Sequence, residues 1–206
     1  MTQRNGRLVW ATLLILIVIA IGVAASAGVA LPLEKAALKA MAFRAGRTPD
    51  IVISLAQWIT WMGDAAQRTV LLVVCAAWLF WKKRPRAALV VAIVPILASV
   101  MSSFLKEAFA RARPVVVPHL DHVTNLSFPS GHATNAAAAF LLIAFLVPGK
   151  SPSFRIALAV FGALLIGGSR LALGVHWPSD VIGGWLLGFA FALAGFEIAN
   201  QLEKRA

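Results

Sequence analysis

The chain has 206 residues, of which 60% are hydrophobic and 13% charged. That leaves too little polar surface for a soluble domain of this length, so composition points to a membrane protein. The net charge of +11 would suit nucleic acid, but the cations sit at the ends of apolar segments, which is the membrane pattern, and nucleic acid is set aside as a partner.

Spans of about 20 mostly apolar residues are expected where a helix crosses a hydrocarbon core of about 30 Å. The first runs from about Leu8 to Leu31. Ala25, Ser26 and Ala27 resemble a signal-cleavage site, but the apolar run is long for a signal peptide and is read as a retained helix. Ile51–Met62 is too short to span, and with Trp58 and Trp61 it suits a helix lying at the interface. Further spans follow over Ala65–Trp81, Ala87–Leu105 with Pro95 inside it, Ala133–Val147, Phe154–Leu173 and Asp180–Ala199. The expected fold is all-α: one membrane-embedded domain over residues 1–206, a six-transmembrane-helix bundle with a short interfacial helix between the first two spans. Cys75 lies within a span and, being the single cysteine, forms no disulfide within the chain. Oligomeric state has no signature in this sequence.

Lys and Arg placement gives an orientation. With a cytoplasmic N-terminus, Arg4, Arg7, Lys82, Lys83, Arg84, Arg86, Lys150, Arg155, Lys204 and Arg205 fall inside. Lys35, Lys39, Arg44, Arg47, Arg68, Lys106, Arg111, Arg113 and Arg170 fall outside. The totals nearly balance, but the Lys82–Arg86 cluster occupies a very short loop, where the positive-inside rule is strongest. Both termini of this multi-pass cell-membrane protein are therefore expected on the cytoplasmic side.

Three segments place polar groups where apolar spans end. In the first, Lys106 and Arg113 are two helical turns apart and can share a face, and Pro114 helps stop the helix. Alone, this reads as a pair of snorkelling cations. In the second, Pro129-Ser130-Gly131-His132, Ser130 can cap the next helix, and Gly131 lets its free N–H groups approach an anion. The third contains Ser169, Arg170, His176 and Asp180, with Pro178 suited to a helix start. Asp180 alone could serve the helix dipole, whereas a cation at membrane depth such as Arg170 marks a functional site by default. Alternating spans put all three segments on the outer face.

Three cations and a helix N-terminus form a cage for a phosphoryl group, with one histidine as nucleophile and the other as acid. Asp180 can fix the tautomer of His176. No carboxylate cluster suited to two metal ions stands in these loops, so metal-free chemistry is expected. His119, Asp121 and His122 read as a solvated or headgroup-facing loop, Arg111 as a phosphate helper or a water-facing cation, and Glu197 as an inner-interface residue.

These segments resemble the signature of the type 2 phosphatidic acid phosphatase superfamily, KxxxxxxRP, PSGH and SRxxxxxHxxxD, and every fixed position is met. The resemblance implies a phosphohistidine on His176 supported by Asp180, protonation of the leaving group by His132, and phosphate held by Lys106, Arg113, Ser130, Gly131 and Arg170. It implies no metal or other cofactor, and a lipid phosphate as substrate, such as undecaprenyl pyrophosphate, phosphatidylglycerophosphate or phosphatidic acid. Soluble relatives use a similar cage for vanadate-dependent haloperoxidase chemistry, which the hydrophobic spans argue against. A non-enzymatic lipid-binding or transport protein would not need nucleophile and acid together.

Overall fold

The computed structural model describes residues 2–149 and 151–204, with side chains from residue 6 onward, so Lys150, Arg205 and the side chain of Arg4, all used for orientation, lie outside the described residues. Eight helices are present among them: α1 Thr2–Ser26, α2 Leu31–Met41, α3 Asp50–Met62, α4 Ala65–Trp81, α5 Pro85–Phe109, α6 Gly131–Leu146, α7 Pro152–Ala172 and α8 Pro178–Lys204.

Packing is organised around α6 and α8. The α6 sequence is rich in alanine, and Ala136, Ala137, Ala138 and Ala139 are all buried. Small side chains let α8 come close: a Cβ at Gly184 would lie 2.6 Å from the Ser130 carbonyl oxygen, and one at Gly188 2.3 Å from that of Thr134. Such small-residue contacts are how helices associate where lipid removes the hydrophobic drive. Helix α1 lies along α8, with Val18 buried beside Leu105, Phe128 and Leu187. Outward-facing residues stay apolar: Trp10, Val70, Phe104 and Leu158 are exposed, as a lipid-facing surface requires. At the end away from the histidines, Arg7 pairs with Glu197 at 3.1 Å, and Arg84 pairs with Glu203 at 2.8 Å. Glu197 is thus a buried ion-pair partner that ties α8 to α1.

The span count differs from the expected six. Gly6–Ser26, Pro85–Phe109, Pro152–Ala172 and Pro178–Lys204 are each long and apolar enough to cross a bilayer. Helices α3 and α4 meet that test only together and are bent by 49° at their break. Helix α6, at 16 residues, rises about 24 Å, short of the hydrocarbon thickness. Length and composition therefore support four crossings, or five with the bent pair. Two helices, not one, separate α1 from α4. Helix α2 escaped the sequence reading because Glu34, Lys35 and Lys39 break its apolar character. Helix α5 also ends earlier than expected. It stops at Phe109 with Ala110 in the left-handed region (φ 45°), so Arg113 stands in the following loop and Pro114 is not the stop.

Candidate active site

The C-terminal end of α5, the N-terminus of α6, the C-terminal end of α7 and the N-terminus of α8 meet around one cavity of about 410 Å³. Lys106, Arg113, Gly131, His132, Arg170 and His176 line it. Of the other expected residues, Asp180 stands behind His176 and Ser130 is fully buried at the head of α6. The three segments do converge.

His176 occupies the turn between α7 and α8, and its two ring nitrogens face different surroundings. Nδ1 faces Asp180 Oδ2 at 3.3 Å. Nε2 lies 3.2 Å from an Arg113 guanidinium nitrogen. A guanidinium can only donate, so Nε2 accepts and the proton belongs on Nδ1, toward the carboxylate. Burial pushes the His176 imidazole down to about 3; the Asp180 contact opposes that shift, and the charges of Arg113 and Lys106 add to it. The ring is therefore neutral at physiological pH, and its unprotonated Nε2 shares its lone pair with the Arg113 guanidinium. Arg113 is pushed down to about 10, first by burial and then by Arg170, and remains a cation.

Asp180 is held by more than His176. It accepts from the Ser127 hydroxyl, from the Trp177 backbone N–H at 2.8 Å and from Arg111 at 2.5 Å. Arg111 in turn pairs with Glu34, whose other oxygen accepts from the Ser179 N–H at 3.1 Å. Arg111 is buried, which corrects its reading as a water-facing cation or phosphate helper: it binds the carboxylate behind the nucleophile. Sequence reasoning missed Glu34 and Ser127 entirely. A carboxylate in the otherwise apolar α2 was the available signal for Glu34.

The cage residues are engaged in different ways. Lys106 Nζ donates to the carbonyls of Leu126, Ser127 and Pro129 at 2.8, 3.3 and 2.7 Å. It thus ties the loop ahead of α6 to α5 and puts its charge on the cavity wall. Arg113 grips Asn125 O at 2.7 Å and Val175 O at 2.6 Å. Arg170 contacts Thr60 Oγ1 and Asp121 Oδ2, while its Nε has no partner. Asp121 is therefore not merely in a solvated loop: its carboxylate lies against the Arg170 guanidinium inside the cavity. His119 instead packs toward the Pro114 carbonyl at 2.6 Å. Ser130 is the N-cap of α6 by backbone position, but its side chain makes no capping hydrogen bond, and Oγ is buried without a partner. The expected cap is thus replaced by a free hydroxyl, beside a Gly131 whose Cβ position is open to within 4.0 Å of Lys106.

His132 opens α6 and faces the break between α3 and α4. Its Nε2 lies 2.8 Å from Asp64 Oδ1. Gly63 permits the approach, because a Cβ there would meet Ile166 at 2.8 Å and the His132 ring at 3.3 Å. Asp64 is a second carboxylate at the cavity that the sequence reading passed over, since it lies at the break between two separate helices.

The family model of the PAP2 superfamily matches residues 86–204. Phosphatidylglycerophosphatase B of Bacillus subtilis is 34% identical over 147 residues, covering 68% of this chain and 72% of that protein. Undecaprenyl-diphosphatase of Sulfolobus acidocaldarius is 31% identical over 140 residues, covering 64% and 65% respectively. The crystal structure of a transmembrane PAP2-type phosphatidylglycerolphosphate phosphatase from Bacillus subtilis superimposes with a TM-score of 0.82 at 27% identity, covering 95% of this chain and 96% of that one.

Proposed function

The chain belongs to the PAP2 superfamily, and from that premise we propose that it is a multi-pass membrane phosphatase hydrolysing a lipid phosphomonoester or diphosphate through a phosphohistidine on His176. The observation that carries this reading is the placement of His176: it lines the cavity together with His132, its Nδ1 is backed by Asp180, and its unprotonated Nε2 lies on the Arg113 side. Relatives named as phosphatidylglycerophosphatase and undecaprenyl-diphosphatase support the substrate class.

In the first step the Nε2 lone pair forms a bond to phosphorus. The bond from phosphorus to the leaving oxygen breaks, its electron pair stays on that oxygen, and His132 supplies the proton. The phosphorylated imidazole is cationic, and Asp180 stabilises the Nδ1–H it retains. Asp64 lies 2.8 Å from His132 Nε2, where its carboxylate offsets in part the burial that disfavours the protonated ring. In the second step His132 takes a proton from water, the water oxygen bonds to phosphorus, and the N–P bond breaks to restore neutral His176. Arg113, Arg170, Lys106, the Ser130 hydroxyl and the N–H groups at Gly131 stabilise charge on the phosphoryl oxygens. No metal ion has a part in either step.

The bent α3–α4 pair and the short, mostly buried α6 are read as two further crossings, giving six in all. Both termini then lie in the cytoplasm and the site faces the outside of the inner membrane. The test is phosphate release by the purified protein, with chelator present, from prenyl diphosphate, phosphatidylglycerophosphate, phosphatidic acid and lipid A phosphates. His176→Ala should abolish release and acid-labile phosphoprotein alike, and full activity in that variant would remove the assignment.

A further inference from the structure

A second cavity, of about 310 Å³, adjoins the first and shares Lys106, Gly131, His132, Asp64 and Asn125 with it. From that junction it extends along α5 past Ser103 and Ser102 to Ser99, with Arg68 of α4 and Asn135 of α6 as its other polar walls. Seven residues of α5 separate Lys106 from Ser99, about 10 Å of helix rise. This is polar space among membrane-embedded helices, where unpartnered polar groups are costly. Yet the Ser102 hydroxyl and the Asn135 amide oxygen are buried with no hydrogen-bond partner, their residues 2% and 6% exposed. Arg68 has no ion pair among the described residues, and the nearby carboxylate of Asp64 is committed to His132. The pocket therefore holds a free guanidinium and a free hydroxyl, two donors suited to an anion, with the Asn135 amide beside them.

Its position relative to His132 says which anion. His132 lines both cavities, so the oxygen it protonates lies at their junction. The phosphoryl group under attack is on the His176 side, and the leaving group must extend to the other. Resting on the phosphatase reading above, we propose that this second cavity is a subsite for another phosphate, one carried by the leaving group. The preferred substrates are then those whose leaving group is itself phosphorylated: a prenyl diphosphate, in which the second phosphate follows directly, or a phosphatidylglycerol-type lipid, in which it follows one glycerol away. Phosphatidic acid and prenyl monophosphates put nothing anionic there.

Two measurements test the assignment. In the first, kcat/KM is compared for prenyl diphosphate and phosphatidylglycerophosphate against phosphatidic acid, in the wild type, Arg68→Gln, Arg68→Lys and Ser102→Ala. The two doubly phosphorylated lipids should be preferred, and Arg68→Gln should lower that preference by about tenfold, the effect of losing one charged hydrogen bond. Arg68→Lys should recover part of it, and Ser102→Ala should show a smaller loss if Arg68→Gln does not fold. A preference confined to one of the two lipids identifies the spacing the subsite accepts. Equal loss on all substrates, or no wild-type preference, overturns the proposal. The second measurement needs no turnover: methylenediphosphonate should raise the Tm of the detergent-solubilised protein more than orthophosphate does, and Arg68→Gln should erase the difference. Equal stabilisation by the two ligands also overturns it. If no lipid releases phosphate but methylenediphosphonate still binds through Arg68, the phosphatase reading falls and the subsite stands.

Discussion

At the scale of single residues, the nucleophile depends on groups that never touch substrate. Asp180 can orient His176 because Arg111 holds one carboxylate oxygen while Ser127 and the Trp177 N–H bind the other, the one that faces His176. Glu34 completes the array by balancing Arg111. Glu34→Gln keeps the shape but leaves the buried Arg111 charge with one carboxylate instead of two. Arg111 should then draw Asp180 away from His176, lowering kcat by about ten- to a hundredfold, the span expected for charged hydrogen bonds. KM should change little, since the cage is intact, and a change in KM with kcat preserved would place Glu34 in substrate binding instead. The protonation state of His176 is a second residue-scale outcome. Its imidazole is pushed below the ordinary histidine range to about 3 by burial, so acidification from pH 7 to pH 5 should leave the free enzyme's His176 neutral. Nitrogen NMR of labelled histidine, assigned with His176→Ala, reads this directly. Protonation near pH 6.5 would mean that the site is wetter than its burial implies.

At the scale of elements, the site was more legible than the helices that build it. Lys106, Arg113, Gly131, His132, Arg170 and His176 all line one cavity because each sits where an apolar run ends, and a run's end is visible in a linear sequence. Glu34, Asp64 and Asp121 were not legible as site residues, and Arg111 was legible only as a phosphate helper or a water-facing cation. Their roles come from pairings such as Arg111–Glu34 and His132–Asp64, which no local pattern encodes. The same limit explains α2 and the bend between α3 and α4, since hydropathy sees neither a short charged helix nor a break set by Gly63. The α6–α8 contact joins element to site, because it brings the Ser130 N–H to within 2.9 Å of the Asp180 carbonyl oxygen. Gly188→Ala would put a methyl 2.3 Å from the Thr134 carbonyl oxygen and 2.7 Å from the Ala137 Cβ. Overpacking of that kind costs about 1–3 kcal/mol, so the Tm should drop by roughly 5 °C. Gly168→Ala is the control. A Cβ there meets nothing within 4 Å, and the gain in helix propensity should leave the Tm equal or slightly higher. Equal losses in both variants would show that packing at Gly188 is looser than these distances require.

At the scale of the whole molecule, the two ends of the bundle differ in chemistry, and that difference gives an experiment on orientation. One end holds the cavity and the loop from Ala110 to Ser130. The other holds the Arg84–Glu203 and Arg7–Glu197 pairs and the Lys82–Arg86 cluster, whose charges anchor helix ends at the interface. Arg111 and the cage cations are held by Glu34, Asp180 and backbone carbonyls or face the cavity, so the positive-inside rule need not count them as free loop charge. Discounting them shifts the nearly even balance toward a cytoplasmic Lys82–Arg86 end. Cys75 is buried in α4, so single cysteines can be introduced against a quiet background. Val115, 91% exposed in the loop that follows α5, and Lys82, exposed at the opposite end, report the two faces. In intact cells a membrane-impermeant maleimide should label Val115→Cys at once and Lys82→Cys only after permeabilisation. The reverse pattern would put the cavity in the cytoplasm. It would restrict the enzyme to lipid phosphates of the inner leaflet, and the subsite beside Arg68 would then have to be supplied from that side.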